Sequence, residues 1–138
     1  MTPEETRHVQ TTFAKLQENA DRAATVFYER LFAHDPKLRQ LFLGDLAEQG
    51  LKLMAMLRML VKTANDLYAI APAIENLGIQ HARFHVQPAD YETFNQALLE
   101  MLAEELGPDF TPEVRQAWQQ VYTEISSLMK EAGKDVVR

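Results

Sequence analysis

Three polar side chains stand on helical stripes that are otherwise apolar, and each is chemically competent there. Ile70, Ile74, Leu77 and His81 recur at steps of four, three and four, which lines them up along one face of a helix. Gln49 heads a second stripe, followed at helical spacing by Leu53, Leu57, Leu60 and Ala64. Tyr28 shares the apolar side of a third with Ala24, Phe27, Leu31 and Phe32. A buried imidazole needs a partner for each ring nitrogen, and leaving one unmet costs about 1–3 kcal/mol. His81 is therefore either a satisfied core residue or a ligand. A tyrosine often fills a core with its hydroxyl at the rim, and a glutamine near a helix start caps it or meets water. Taken together, the three form a candidate polar lining for an apolar interior.

His81 and His85 also have the spacing of an HxxxH metal pair. A zinc site needs a third or fourth ligand, and the other imidazoles are His8 and His34. There is no cysteine, so disulfides, thiolate metal sites and catalytic thiols are excluded. The pair is better explained with His85 at a site edge or in solvent.

The elements that must carry these groups are all helical. Thr2-Pro3-Glu4-Glu5 has a capping residue, a proline at the first helical position and acids in the first turn, predicting a helix that ends near Asn19. A second helix is expected from about Asp21 to His34, stopped by Asp35-Pro36, with a short helical turn carrying Leu38, Leu41 and Phe42. Gly44-Asp45 reads as a loop before a helix from about Glu48 to Asn65. Pro72 and Gly78 predict that the histidine segment, Leu67 to Val86, is a weak helix, short or irregular. Pro88 and Asp90 open another helix with Tyr91, Phe94, Leu98, Met101 and Leu102 inward, closed by Gly107-Pro108. Thr111-Pro112-Glu113 starts the last, in which Val114, Trp118, Tyr122, Ile125 and Met129 share a face. The expectation is all-α, six to seven helices and no strand, one domain over residues 1–138 with a frayed tail at 133–138.

The net charge of -6 and pI near 5.2 disfavour nucleic acid or an anionic membrane as partner. The longest apolar-rich run, Leu51 to Val61, contains Lys52 and Arg58 and is too short to span a bilayer. The polar, acidic N-terminus lacks the marks of an export signal, so a cytoplasmic location is expected.

With these residues in place, the chain resembles the globin family, and more closely the bacterial single-domain globins similar to the haem domain of flavohaemoglobins. FYERLFAHDPKLRQLF, from Phe27 to Phe42, looks like that group's second helix and following corner, with its tyrosine, proline and haem-wedging phenylalanine. The intervals from Tyr28 to Phe42 and from Gln49 to His81 match without a gap, and Tyr91, Trp118 and Tyr122 fit as well. The resemblance implies a globin fold around a haem pocket, with His81 as the proximal iron ligand. The haem so implied is haem b, and without cysteine it would be held without thioether bonds. Phe42, Leu53, Leu77, Val86 and Phe94 would line the porphyrin, Lys52 and Arg83 would meet the propionates, and Tyr91 would support the proximal side. Tyr28 and Gln49 would donate hydrogen bonds to the partial negative charge of bound oxygen, about 1.5–3 kcal/mol each. The implied function is reversible, high-affinity binding of O2 and other diatomic gases (CO, NO) in oxygen storage or transport. The alternatives are a nitric oxide dioxygenase that draws electrons from a separate reductase and serves nitric oxide detoxification, weak peroxidase activity, or a haem-based gas sensor.

The family pattern is not met everywhere. The glutamate that joins a tyrosine behind the proximal histidine in flavohaemoglobin-like chains is expected at position 133, which is Gly133. Glu131 and Asp135 are each two residues away, about 200° round a helix. A weaker proximal push follows. Gln80 stands where a basic residue is usual, and His85 where a glycine is usual.

Overall fold

The computed structural model describes residues 1–42 and 44–136. Helix α1 spans Pro3–Gln17, and the Thr2 hydroxyl and Glu5 carboxylate close a capping box at its start. Helix α2, Ala20–His34, ends at Asp35, whose carboxylate accepts from Lys37 N and opens a 3-10 helix over Pro36–Leu41. Helix α3 spans Leu46–Lys62, starting two residues earlier than its apolar stripe suggests because the Asp45 side chain caps Ala47 N. A 3-10 turn at Leu67–Ile70 leads into α4, Ala71–Arg83. Helix α5 spans Pro88–Leu106, a 3-10 turn follows at Gly107–Asp109, and α6 runs from Pro112 to Gly133 with Thr111 as its cap. Among the described residues no strand forms. Of the expected frayed tail, Gly133 closes α6, Lys134 to Val136 turn, and residues 137–138 lie outside the described residues.

The expectation of a short or irregular histidine helix holds at Leu67–Ile70, which wind as a 3-10 turn, and is corrected beyond it. Helix α4 is regular over 13 residues. Pro72 falls in its first turn, where the missing N–H has no carbonyl to meet and the fixed φ suits a helix. Gly78 is not a point of weakness but of contact: a Cβ built there would lie 2.3 Å from the Met129 carbonyl oxygen. The backbones of α4 and α6 touch.

The most extensive contacts join α4 to α6 and α2 to α5, while α3 lies against both α1 and α2. Three polar ties run from α2 to α5: Arg22 to Glu105 at 2.9 Å, Arg30 to Glu104 at 3.5 Å and His34 to Glu100 at 2.9 Å. The core runs between these layers and includes the fully buried Leu31, Ile74, Met101, Leu102 and Trp118. Trp118 keeps its indole N–H satisfied by donating to Thr12 Oγ1 at 2.9 Å, and Thr12 in turn donates to the His8 carbonyl at 2.7 Å. Helices α2 and α3 also approach closely, since a Cβ on Gly50 would stand 3.0 Å from the Ala24 Cβ. Tyr28 lies one turn beyond Ala24, and Gln49 directly before Gly50.

Candidate functional site

The helix pairs leave a cavity of about 560 Å³ between them. That falls within the roughly 300–1,000 Å³ of pockets that enclose a cofactor. Tyr28, Phe42, Gln49, Lys52, Leu53, Leu77, His81, Val86, Tyr91 and Phe94 all line it, so the structure brings together all but one of the residues expected to contact haem or its ligand. The exception is Arg83, which is exposed on the last turn of α4 and outside the lining. His85 is likewise exposed and does not reach the cavity.

His81 is held by backbone. Its Nδ1 lies 2.7 Å from the Leu77 carbonyl oxygen, one turn earlier on α4. A carbonyl only accepts, so the proton sits on Nδ1 and the Nε2 lone pair is left for a metal. Among the described residues Nε2 has no hydrogen-bond partner. Burial lowers the imidazole pKa, opposed by the bond to Leu77, and the ring stays neutral, the form that ligates.

The end of α4 fixes the same residue again. Val86 N–H donates to the His81 carbonyl at 3.0 Å and His85 N–H to the Ala82 carbonyl at 3.0 Å, the two bonds of a Schellman cap. Such a cap needs a left-handed residue at His85, and its φ is indeed 70°. A glycine normally fills that place, so the chain carries strain of about 1–2 kcal/mol at the corner beside His81. The cap also turns Val86 into the cavity wall.

The Tyr91 ring stacks near the imidazole, with centroids 6.5 Å apart and planes 26° from parallel. Tyr122 on α6 donates its hydroxyl to the Tyr91 carbonyl at 2.5 Å, and burial raises its pKa well above the ordinary phenol value. Glu131 is exposed and paired with Lys134, and Asp135 is exposed, so neither replaces the missing carboxylate of position 133.

The opposite group of side chains is arranged by aromatic packing. Tyr28 meets Phe42 edge-on at 5.3 Å, stacks on Phe32 at 6.0 Å and contacts Phe27 at 5.2 Å. Arg39 locks the corner by donating to the Phe42 carbonyl at 2.6 Å, with its guanidinium 5.9 Å from the Phe32 ring centroid. Burial pushes the Tyr28 pKa up to about 12, so the hydroxyl stays a donor. Neither this hydroxyl nor the Gln49 amide has a hydrogen-bond partner among the described residues. Donors without internal partners are available to something inside the cavity.

Some lining residues escape the sequence analysis. Phe84 is 68% exposed yet lines the cavity, and Met56 and Gln80 line it too. Phe84 had a signal: it continues the stripe of Leu77 and His81 by a further step of three.

An all-helical fold in which a histidine with one free ring nitrogen shares a deep apolar cavity with unpartnered donors defines a globin. The globin family profile matches residues 25–129, and the chain belongs to that family. It is 30% identical over 126 residues to a flavohemoprotein of Vibrio cholerae, covering 88% of this chain and 32% of that protein. It is 26% identical over 129 residues to a flavohemoprotein of Halalkalibacterium halodurans, covering 91% of this chain and 31% of the relative. The chain thus spans about a third of the length of these curated relatives. Among solved structures it is similar to an engineered carbene transferase derived from a candidate nitric oxide dioxygenase of Rhodothermus marinus. The TM-score is 0.87 and the identity 26%, over 99% of this chain and 95% of the other. A bacterial globin from Campylobacter jejuni shares the fold, with a TM-score of 0.85 at 21% identity over 98% of both chains.

The residues fit haem. The cavity walls are predominantly apolar, one imidazole offers a lone pair, and the exposed Lys52 adds a cation to the lining. No helix among the described residues is long and apolar enough to cross a membrane.

Proposed function

We propose that this chain holds haem b non-covalently and binds O2 and other diatomic gases reversibly. The observation that carries this is the His81 geometry: Nδ1–H spent on the Leu77 carbonyl, Nε2 free, in a cavity that also contains Tyr28 and Gln49. Haem, when bound, supplies the iron at which a diatomic gas is held. The protein does the rest. The Leu77 carbonyl raises the basicity of His81 and fixes its tautomer, as the outer partner of a metal-bound histidine does. Phe42, Leu53, Leu77, Val86 and Phe94, which line the cavity, would exclude water and pack on the porphyrin, and Lys52 would meet a propionate. The Tyr28 hydroxyl and Gln49 amide donate to a gas that carries negative charge, and slow its release. Carbon monoxide, which carries little charge when bound, gains less from them.

His81→Ala tests this directly. Wild-type protein is expected to show a Soret band and five-coordinate ferrous iron, and the variant to lose haem to a scavenging apoprotein much faster. Haem uptake and coordination unchanged by the substitution would overturn the assignment.

A second function is nitric oxide dioxygenation, in which a separate reductase supplies the electrons. It is favoured by the 26% identity to the engineered Rhodothermus marinus protein. Steady-state nitric oxide consumption with a cellular flavin reductase separates it from simple gas binding, because any oxygenated globin reacts once.

A further inference from the structure

Behind His81 a second row of side chains leads outward. The Tyr91 ring lies nearly parallel to the imidazole at 6.5 Å, and the Lys130 ammonium stands 5.9 Å from the centroid of that same ring. Lys130 adjoins Met129, whose carbonyl and Cα meet the backbone of α4 at Gly78. Its root is therefore fixed relative to the histidine helix by contact between the two backbones. Among the described residues no carboxylate lies within salt-bridge distance of the ammonium.

We propose that Lys130 is a positioning residue for the proximal ligand, pinning the Tyr91 ring against His81 and placing a positive charge behind the imidazole that biases the iron towards its ferrous state. This rests on the haem-binding function proposed above. A cation is attracted to the electron-rich face of an aromatic ring, so Lys130 and Tyr91 hold each other. A positive charge near a redox centre stabilises the form carrying one more electron. Lys130 is exposed, so the effect is screened by salt. Helix α6 would thus act on the iron by attraction of electrons, where a carboxylate in the same place would push them.

The test is a spectroelectrochemical titration of haem-loaded protein at low salt, with dithionite as reductant. At fixed potential Lys130→Met is expected to lower the ferrous-to-ferric ratio about threefold. Lys130→Glu is expected to lower it about tenfold, a drop of about 59 mV for this one-electron couple. Lys130→Arg should keep the wild-type ratio, and salt of about 0.5 M should shrink every difference. In a Tyr91→Leu background, Lys130→Met should no longer change the ratio. Independently, the haem-loaded ferrous protein under carbon monoxide should give nuclear Overhauser contacts between the Lys130 side chain and the Tyr91 ring. Equal ratios for wild type, Lys130→Met and Lys130→Glu, an undiminished Lys130→Met effect without the Tyr91 ring, or absence of those contacts would each overturn the proposal. Haem uptake through His81 with no effect at Lys130 would leave the haem site standing and remove this inference alone, whereas no haem uptake would remove both.

Discussion

On the α4 side of the cavity the backbone sets the chemistry, whereas on the α2–α3 side packed side chains set it. His81 is oriented by the Leu77 carbonyl and by two cap bonds that tie its own corner, and its helix is pressed backbone to backbone on α6. Among the described residues the Tyr28 and Gln49 side chains have no such bonds; the phenol is steered by Phe27, Phe32 and Phe42, and the amide by the helix that carries it. The difference suits two tasks. A ligand to a metal must keep one geometry, while donors to a gas must stay uncommitted until the gas arrives.

Breaking the rigid side should have the largest consequence. Gly78→Ala would put a methyl 2.3 Å from the Met129 carbonyl oxygen, against backbone that cannot step aside. Urea unfolding is expected to show a loss of about 3 kcal/mol or more, together with weakened haem retention. A loss below about 1 kcal/mol would mean that the two helices separate easily.

The soft side should fail differently, in function before stability. Tyr28→Phe is expected to speed oxygen dissociation roughly ten- to a hundredfold with carbon monoxide release nearly unchanged, as measured by stopped flow. Equal acceleration of both gases would show that Tyr28 only fills space. The pH dependence sharpens the same point. Since the Tyr28 pKa is raised from about 10 to about 12 on folding, the unfolded chain releases the phenolic proton first. Its stabilising contribution is complete below pH 10, declines between pH 10 and 12, and is absent from Tyr28→Phe. Oxygen release should accordingly stay flat through pH 10 rather than rise where an ordinary phenol ionises.

The corner after α4 offers a test of opposite sign. His85→Gly should relieve the positive φ and raise stability by about 1 kcal/mol, provided the cap on His81 is kept. A loss would mean that the imidazole at 85 makes a contact worth more than the strain. The smallest effect is expected where the distal helices meet. Gly50→Ala brings two methyl carbons to 3.0 Å, a contact that yields by small shifts, and alanine favours the helix, so the net change should stay within about 1 kcal/mol. An effect as large as that of Gly78→Ala would erase the distinction between the two sides.

The stripes that contain Tyr28, Gln49 and His81 were legible because a period near 3.6 survives in the sequence wherever one face is buried. The helix boundaries followed from caps and prolines, to within a few residues, since those act locally. Gly78 misled because a glycine's meaning depends on what approaches it: propensity marks it as a weak point, and only the Met129 backbone shows it to be a contact. Arg83 was harder to place for a related reason, as a long charged side chain at a helix end carries no record of which way it leans.

The sequence by itself determined an all-helical chain, the three polar groups on apolar faces and the lack of any thiol with which to hold a cofactor covalently. Tertiary structure alone decided which imidazole nitrogen is free, which residues line the cavity, and that a lysine from the last helix faces the ring behind His81. The first set depends on local preference and periodicity, which each segment carries within itself. The second depends on where two distant segments meet, and that is fixed only when their backbones come into contact.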